Sequence, residues 1–371
     1  MIYLDNGATT LHKPQCVLQA VSKALQICGN PGRGGHAAAM AATNVVYQTR
    51  ETAATFFDCD PENVVFTNSC THGLNIAIGT LVKPGDRVLI SGFEHNAVTR
   101  PLYALNAKIF IAGRKLFDQK NMLEEWEKIL KNGVEAAIFT HVSNAFGFIL
   151  PAADMARLCI KYNTPFIIDA AQSAGILDIS MKILGADFIA MPGHKGLLGP
   201  QGTGILLCGR HPKPLLFGGT GSMSALQEMP EELPDRLEAG TLNVPGIAGL
   251  GAGIRYLQNR GLDAIFAREA TQARRCAVAL KELGLQVFCG DHQTGTVSFL
   301  PGEDPEEFAE KLAQNNIAVR AGLHCAPTAH ESAGTLETGT VRVSFGHDAT
   351  TWQTDRFLQV AQRILSKKYL Q

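Results

Sequence analysis

Between Asn63 and Gly204 short apolar runs alternate with stretches of helical pattern, and this alternation restricts the fold more than any other feature of the chain. The runs are Asn63-Val64-Val65-Phe66-Thr67, Arg87-Val88-Leu89-Ile90, Ala107 to Ile111, Ala136 to Thr140, Pro165-Phe166-Ile167-Ile168-Asp169 and Phe188-Ile189-Ala190. Helical signals separate them: small polar caps over Asn68 to Asn75, a start at Glu94-His95-Asn96, the stretch Met122 to Leu130, and Pro151 as an opening proline. Strands alternating with helices in this way build a mostly parallel sheet covered on both faces. Such sheets take ligands beyond the carboxyl ends of their strands. Thr71, His95, Asn144, Asp169 and Lys195 all follow a strand closely and are therefore the first candidates for a site.

The flanks read differently. Tyr3 to Thr10 is a short extended segment and turn, a helix begins at about Pro14, and the loop Gly29 to His36 leads into a long helix from Ala37 to about Phe57. After Pro245 come two helices, near 246–258 and 263–283, then short strands near Val287, Thr296 to Phe299, Ile317 to Arg320 and Val341 to Ser344, and a final helix near 351–366. The expectation is an α/β large domain over residues 15–255 and a smaller α+β domain formed by residues 1–14 with 256–371. A chain of 371 residues with 46% hydrophobic and 18% charged residues can bury both cores. A formal net charge of -1, with no basic stripe, argues against nucleic acid as a partner. No run approaches the roughly 20 apolar residues of a membrane span. The start has no basic segment followed by an apolar one, so a cytoplasmic location is expected and no membrane partner. Nine cysteines without a Cys-x-x-Cys pair suit neither a disulfide framework nor a zinc ribbon.

Lys195 lies in Ala190-Met191-Pro192-Gly193-His194-Lys195-Gly196-Leu197-Leu198-Gly199-Pro200, between two apolar strands. Glycines on both sides permit turns and close backbone approach. A lysine held there suits Schiff-base chemistry with an aldehyde cofactor, although alone it also reads as a solvent-facing residue of a glycine-rich connection. Asp169 ends its strand and is either a helix N-cap or, with Lys195 near, the partner of a pyridinium nitrogen. Gln172 lies within reach of the same ring, and His95 can lie over its face. The strand-to-helix turn at Asn68 to Asn75 offers free amides and a helix dipole to a phosphate. In the smaller region Arg320-Ala321-Gly322-Leu323-His324-Cys325-Ala326-Pro327 puts a cysteine in a Gly/Pro-bounded loop beside a histidine, a setting that favours thiolate. A zinc reading of His324, Cys325 and His330 lacks a fourth ligand at a usual spacing, so no metal is expected. Arg342 serves either a structural ion pair or the carboxylate of a substrate.

As an ordered set these motifs resemble, over nearly the whole chain, the class V aminotransferase-like enzymes that use pyridoxal 5'-phosphate. Within them they resemble the cysteine desulfurases and selenocysteine lyases with a short active-site loop. The resemblance rests on Tyr3 to Thr10, Phe66 to Asn75, Glu94-His95-Asn96, Thr140 to Asn144, Asp169-Ala170-Ala171-Gln172, Gly193-His194-Lys195, Glu238-Ala239-Gly240-Thr241 and Arg320 to Cys325. It implies fold type I of the pyridoxal-phosphate transferases, with a mostly parallel seven-stranded sheet. It implies Lys195, Cys325 and His95 as catalytic residues. Cofactor contacts are implied for Cys70, Thr71, His72, His95, Asn144, Asp169, Gln172, His194 and Lys195, with Thr241 reaching across from the partner subunit of a homodimer. Gly7, Ala8, His36, Asn144, Arg320 and Arg342 are implied on the substrate side. The activity implied is conversion of L-cysteine to L-alanine with sulfur passed to Cys325 and on to an acceptor protein; selenocysteine lyase or another class V lyase or transaminase is the alternative. Three positions depart from the family pattern: Pro192 in place of a hydroxyl residue, Cys70 in place of threonine, and Leu323 in place of histidine.

Overall fold

The computed structural model describes residues 1–32 and 34–368; Arg33, in the loop expected at Gly29 to His36, lies outside the described residues. Its centre is a seven-stranded sheet in the order Val64–Thr67, Gly204–Cys208, Phe188–Pro192, Phe166–Asp169, Ala136–Thr140, Arg87–Ser91, Lys108–Ala112. Gly204–Cys208 alone runs against the direction of the other six. The five interior strands are buried almost throughout, which explains why they read as continuous apolar runs rather than alternating ones. Register places Thr140 beside Asp169 and Asp169 beside Ala190, with Phe188–Pro192 running two residues further, so three strands end close together on one edge.

Helices cover both faces. Phe57, Trp126, Phe139, Phe146 and Phe148 fill one side, and Leu74, Ile78, Val98 and Leu102 the other. Gly73 lies flat on the sheet: a Cβ there would stand 3.3 Å from that of Ala190. The helix Val244–Arg260 packs against Gln15–Ile27 and Ala37–Phe56 and ends at Gly261, with φ of 79°. Its successor, Leu262–Glu282, lies against a smaller antiparallel sheet ordered Arg320–Gly322, Thr340–Ser344, Thr296–Leu300, Gln286–Phe288. The N-terminal strand Ile2–Tyr3 pairs in parallel with Ile317–Ala318, so the start of the chain belongs spatially to this second region.

An ion pair ties the edge of the large sheet together. Both oxygens of Glu238 accept from Arg50, at 2.9 and 2.8 Å, and Oε1 also accepts from the amide of Phe66 at 2.7 Å. Arg50 and Glu238 are both buried. The pair pins the irregular segment 209–243 to the edge strand and to the helix Ala37–Phe56.

Candidate active site

These strand ends open into a cleft lined by Cys70, Thr71, His95, Asn144, Asp169, Gln172, His194 and Lys195 among others. Eight of the residues singled out by sequence thus meet in one place.

Two loops form its floor, and they are locked back to back. A Cβ on Gly175, in the loop after Asp169, would stand 2.3 Å from the carbonyl oxygen of Gly196, and one on Gly196 would stand 2.4 Å from that of Ala174. Only glycines allow this approach. The lysine loop also closes on itself, Leu198 N donating to Lys195 O at 2.9 Å and Gly199 N to Gly193 O at 2.7 Å. The N-terminal segment straps it from outside: Thr10 donates from its amide to His194 O at 3.1 Å and from its hydroxyl to Lys195 O at 2.9 Å, and Lys13 Nζ donates to His194 O at 2.8 Å. Lys195 is thereby fixed relative to Asp169. Burial lowers the Lys195 amine from the usual lysine range, against the opposing pull of Asp169, and so favours its neutral, nucleophilic form.

Asp169 is buried, with Oδ1 accepting from the Ala171 amide at 2.8 Å and from the thiol of Cys70 at 3.4 Å. Burial beside this carboxylate raises the Cys70 thiol well above its ordinary value, so Cys70 is a donor here and not a nucleophile. Cys70 begins the helix Cys70–Leu81, capped by Ser69, whose hydroxyl accepts from the His72 amide at 3.2 Å. The first amides of that helix point out of its N-terminus toward the cleft side occupied by Cys70 and Thr71.

His95 caps the next helix, its Nδ1 accepting from Ala97 N at 3.0 Å. With Nδ1 spent as an acceptor and the pKa lowered by burial, the ring is neutral and carries its proton on Nε2. Behind it, Glu94 joins two strand ends, accepting from the Ser91 hydroxyl and, at 2.9 Å, from the Thr140 amide. Full burial pushes Glu94 up to about 8. Glu94 was visible in the sequence only as a neighbour of His95; nothing local marked it as a buried brace.

Cys325 sits at the rim, exposed to solvent. Its carbonyl accepts from the Asn96 amide at 2.8 Å, and that of His324 accepts from Asn144 Nδ2 at 2.6 Å. His324 and Cys325 both have left-handed backbones, φ 51° and 56°, a pair of non-glycine residues held by these two bonds. Arg342 is buried and spends Nη2 on Asp5 at 2.9 Å and Nη1 on Asn144 O at 3.0 Å, leaving Nε without a partner. Arg320 grips the other Asp5 oxygen at 2.8 Å and lies within electrostatic range of Cys325. Gly7 stands against the same cluster, its amide on Ser344 Oγ at 2.8 Å and its carbonyl receiving Gln172 Nε2 at 2.9 Å; Ala8 is part-buried one residue on.

His72 and His36, expected at the site, lie outside this cleft, as does Thr241, which is expected there only from a partner subunit. His72 turns one helical step away from Thr71 and lines a neighbouring cavity, which it shares with Thr241. His36 is exposed at the start of its helix, capping Ala39 N at 3.3 Å. Among the described residues no cluster of three or more His, Cys, Asp or Glu side chains could hold a metal, and no helix is long and apolar enough to cross a membrane.

His141, buried beneath the cleft floor, has no partner for Nδ1, and burial holds it down at about 4. The folded protein therefore binds fewer protons than the unfolded chain between its value and the ordinary histidine value. Stability is full above that window and falls as pH drops from about 6.5 to about 4, by up to roughly 3 kcal/mol from this residue. Urea unfolding of the wild type and of His141→Gln at pH 7 and pH 5 checks this: the variant loses less on acidification.

The family model described as Aminotransferase class-V matches residues 2–357. A probable cysteine desulfurase of Pyrococcus abyssi is 33% identical over 98% of this chain and 94% of its own length. One of Methanothermobacter thermautotrophicus is 31% identical over 94% of this chain and 91% of its own. The apo structure of cysteine desulfurase from Thermococcus onnurineus NA1 superposes with a TM-score of 0.91 at 33% identity, covering 99% of this chain and 95% of that one. With a lysine and a strand-end aspartate at the edge of the large sheet, a rim cysteine on a loop of the smaller one, and matches spanning almost every residue, the chain belongs to the aminotransferase class-V family and groups there with the cysteine desulfurases.

Proposed function

We propose that this protein is a pyridoxal 5'-phosphate-dependent cysteine desulfurase that takes sulfur from L-cysteine onto Cys325 and releases L-alanine. The observation that carries the reading is that Lys195 and Asp169 share one cleft while the Cys325 loop is bonded to Asn144 of its lining and to Asn96 beside His95.

The donor set fits the cofactor. Lys195 would hold its aldehyde, Asp169 its ring nitrogen through the oxygen left free of protein partners, and the helix start at Cys70 and Thr71 its phosphate, with His194 and Gln172 beside it. When bound, the cofactor supplies an electron sink for charge developing at the substrate Cα. The remaining steps fall to the chain. The neutral Lys195 amine takes the Cα proton, and Nε2–H of His95, which lines the same cleft, supplies a proton. Asn144 lines the cleft and Arg342, bonded to the Asn144 carbonyl, keeps Nε unspent, which suits the pair to the substrate carboxylate. Cys325 thiolate attacks the substrate sulfur. An S–S bond forms, the C–S bond breaks, and its electron pair stays with the carbon skeleton, which is protonated and leaves as alanine. A thiol reductant or an acceptor protein then reaches the persulfide from solvent, since Cys325 is exposed.

Thr241 lies outside the cleft of its own chain, which suits a homodimer in which it completes the partner's site. A cytoplasmic location accords with this chemistry, which needs reduced thiols.

Cys325→Ala tests the reading. The variant is expected to keep the yellow absorbance of the loaded protein while alanine and sulfide release from L-cysteine fall by roughly 100-fold or more. Unchanged turnover would remove the thiol from the mechanism. Parallel assays of the wild type with L-cysteine and L-selenocysteine separate the lyase alternative: alanine released from selenocysteine with little from cysteine marks selenium as the natural cargo.

A further inference from the structure

A second cavity lies on the far side of Lys195 and Gln172 from the cleft, at the junction of the two regions, with room of about 30 Å³. Its walls come from the lysine loop, the N-terminal segment, the ends of two strands of the small sheet, and Glu269 of the helix Leu262–Glu282. Glu269 is 4% exposed, and among the described residues its carboxylate makes neither a hydrogen bond nor an ion pair. The one charged group that acts on it is Asp348, of like sign; neither Lys195 nor His347, which also line the cavity, compensates it. Burial beside that second acid pushes Glu269 up to about 8. A carboxylate with nothing opposite it is a costly thing to bury.

Beside apolar side chains, Lys195 and His347, the lining presents oxygen. Asn6 spends its amide nitrogen on Ser344 O at 3.1 Å, and Gln172 spends its own on Gly7 O at 2.9 Å, so each keeps its carbonyl oxygen as an acceptor. Two glycines admit these groups: a Cβ on Gly346 would stand 2.7 Å from Asn6 Oδ1, and one on Gly295 would stand 3.1 Å from Glu269 Oε2. One carboxylate among neutral oxygens, in a space that holds one or two water-sized occupants, suits a large, weakly hydrated monovalent ion. With one carboxylate and one imidazole, His347, whose Nε2 is spent on His12 O at 3.0 Å, it lacks the nitrogen or sulfur donor set of a transition metal.

We propose that this cavity binds one monovalent cation, potassium or ammonium, with Glu269 as its counter-charge. The ion ties the small-sheet region to the loop that carries Lys195, and it is independent of which amino acid the cleft takes.

Thermal unfolding of the cofactor-loaded protein is measured in potassium, ammonium, lithium and tetramethylammonium chlorides at equal ionic strength. The wild type is expected to melt about 3 °C or more higher in potassium or ammonium than in tetramethylammonium. Glu269→Gln, nearly isosteric and neutral, is expected to melt at one temperature in all four. A wild type indifferent to the cation, which is the behaviour of a Glu269 neutralised by a proton alone, overturns the proposal. So does a variant that keeps the potassium effect. Should Glu269→Gln fail to fold, wild-type crystals soaked in thallium acetate decide: an anomalous peak beside Glu269 supports the site, and its absence there refutes it.

Discussion

Lys195→Ala is expected to reduce alanine release from L-cysteine by about 10³-fold or more, because the same amine is proposed to hold the cofactor and to take the Cα proton. Lys195→Arg is expected to be equally inactive. Its guanidinium keeps the positive charge opposite Asp169 but is never a free base near neutral pH. That pairing separates two accounts of the residue. A lysine that served only to neutralise Asp169 would be replaced by arginine with modest loss, so an arginine variant retaining a tenth of the wild-type rate would refute the proton-transfer role. Single-turnover assays on loaded protein are the suitable measurement, since they do not depend on how quickly the persulfide is cleared.

The second large effect concerns stability. Glu238→Ala is expected to destabilise the fold by about 3–5 kcal/mol, because it strands the buried Arg50 guanidinium and leaves the Phe66 amide without its acceptor. Replacing both partners with leucine is expected to cost less than either single change, since no unpaired charge then remains buried. Urea denaturation of the two single variants and the double variant makes the comparison. Equal losses in all three would mean that the pair contributes through packing and not through charge. The segment 209–243 carries Thr241, so Glu238→Ala is also expected to increase proteolytic cutting there.

The architecture was largely legible because local signals agreed with the long-range order. Ser69 reads as a cap from its place after a β-rich run, and it caps. The strand Pro165 to Asp169 is too apolar for a half-exposed position, and it lies mid-sheet. Asp169 and Lys195 were marked by their positions just beyond strands, and parallel strands gather such positions on one edge. What escaped notice depends on pairs far apart in sequence. Asp5 holds both Arg320 and Arg342, more than three hundred residues away, and an aspartate in a turn gives no sign of that. The direction of His72 turns on helical phase relative to the cleft, which only the sheet geometry fixes. The left-handed backbones of His324 and Cys325 have no local cause, since neither residue is a glycine or asparagine; they follow from bonds to Asn144 and Asn96. Glu269 has charged neighbours along its helix, and its isolation follows only from the second region closing over it.

The N-terminal strap has a practical corollary. Residues 2–13 run from a strand in the small region, through the Asp5 clasp, to the hydroxyl and amine that fasten the lysine loop. They are the girth strap of a saddle more than a loose end: a protease nick behind Lys13 would leave every residue of the cleft in place on the main fragment and still let the amine drift. Loss of colour after limited digestion, with the bulk of the fold intact by circular dichroism, is how such damage would announce itself.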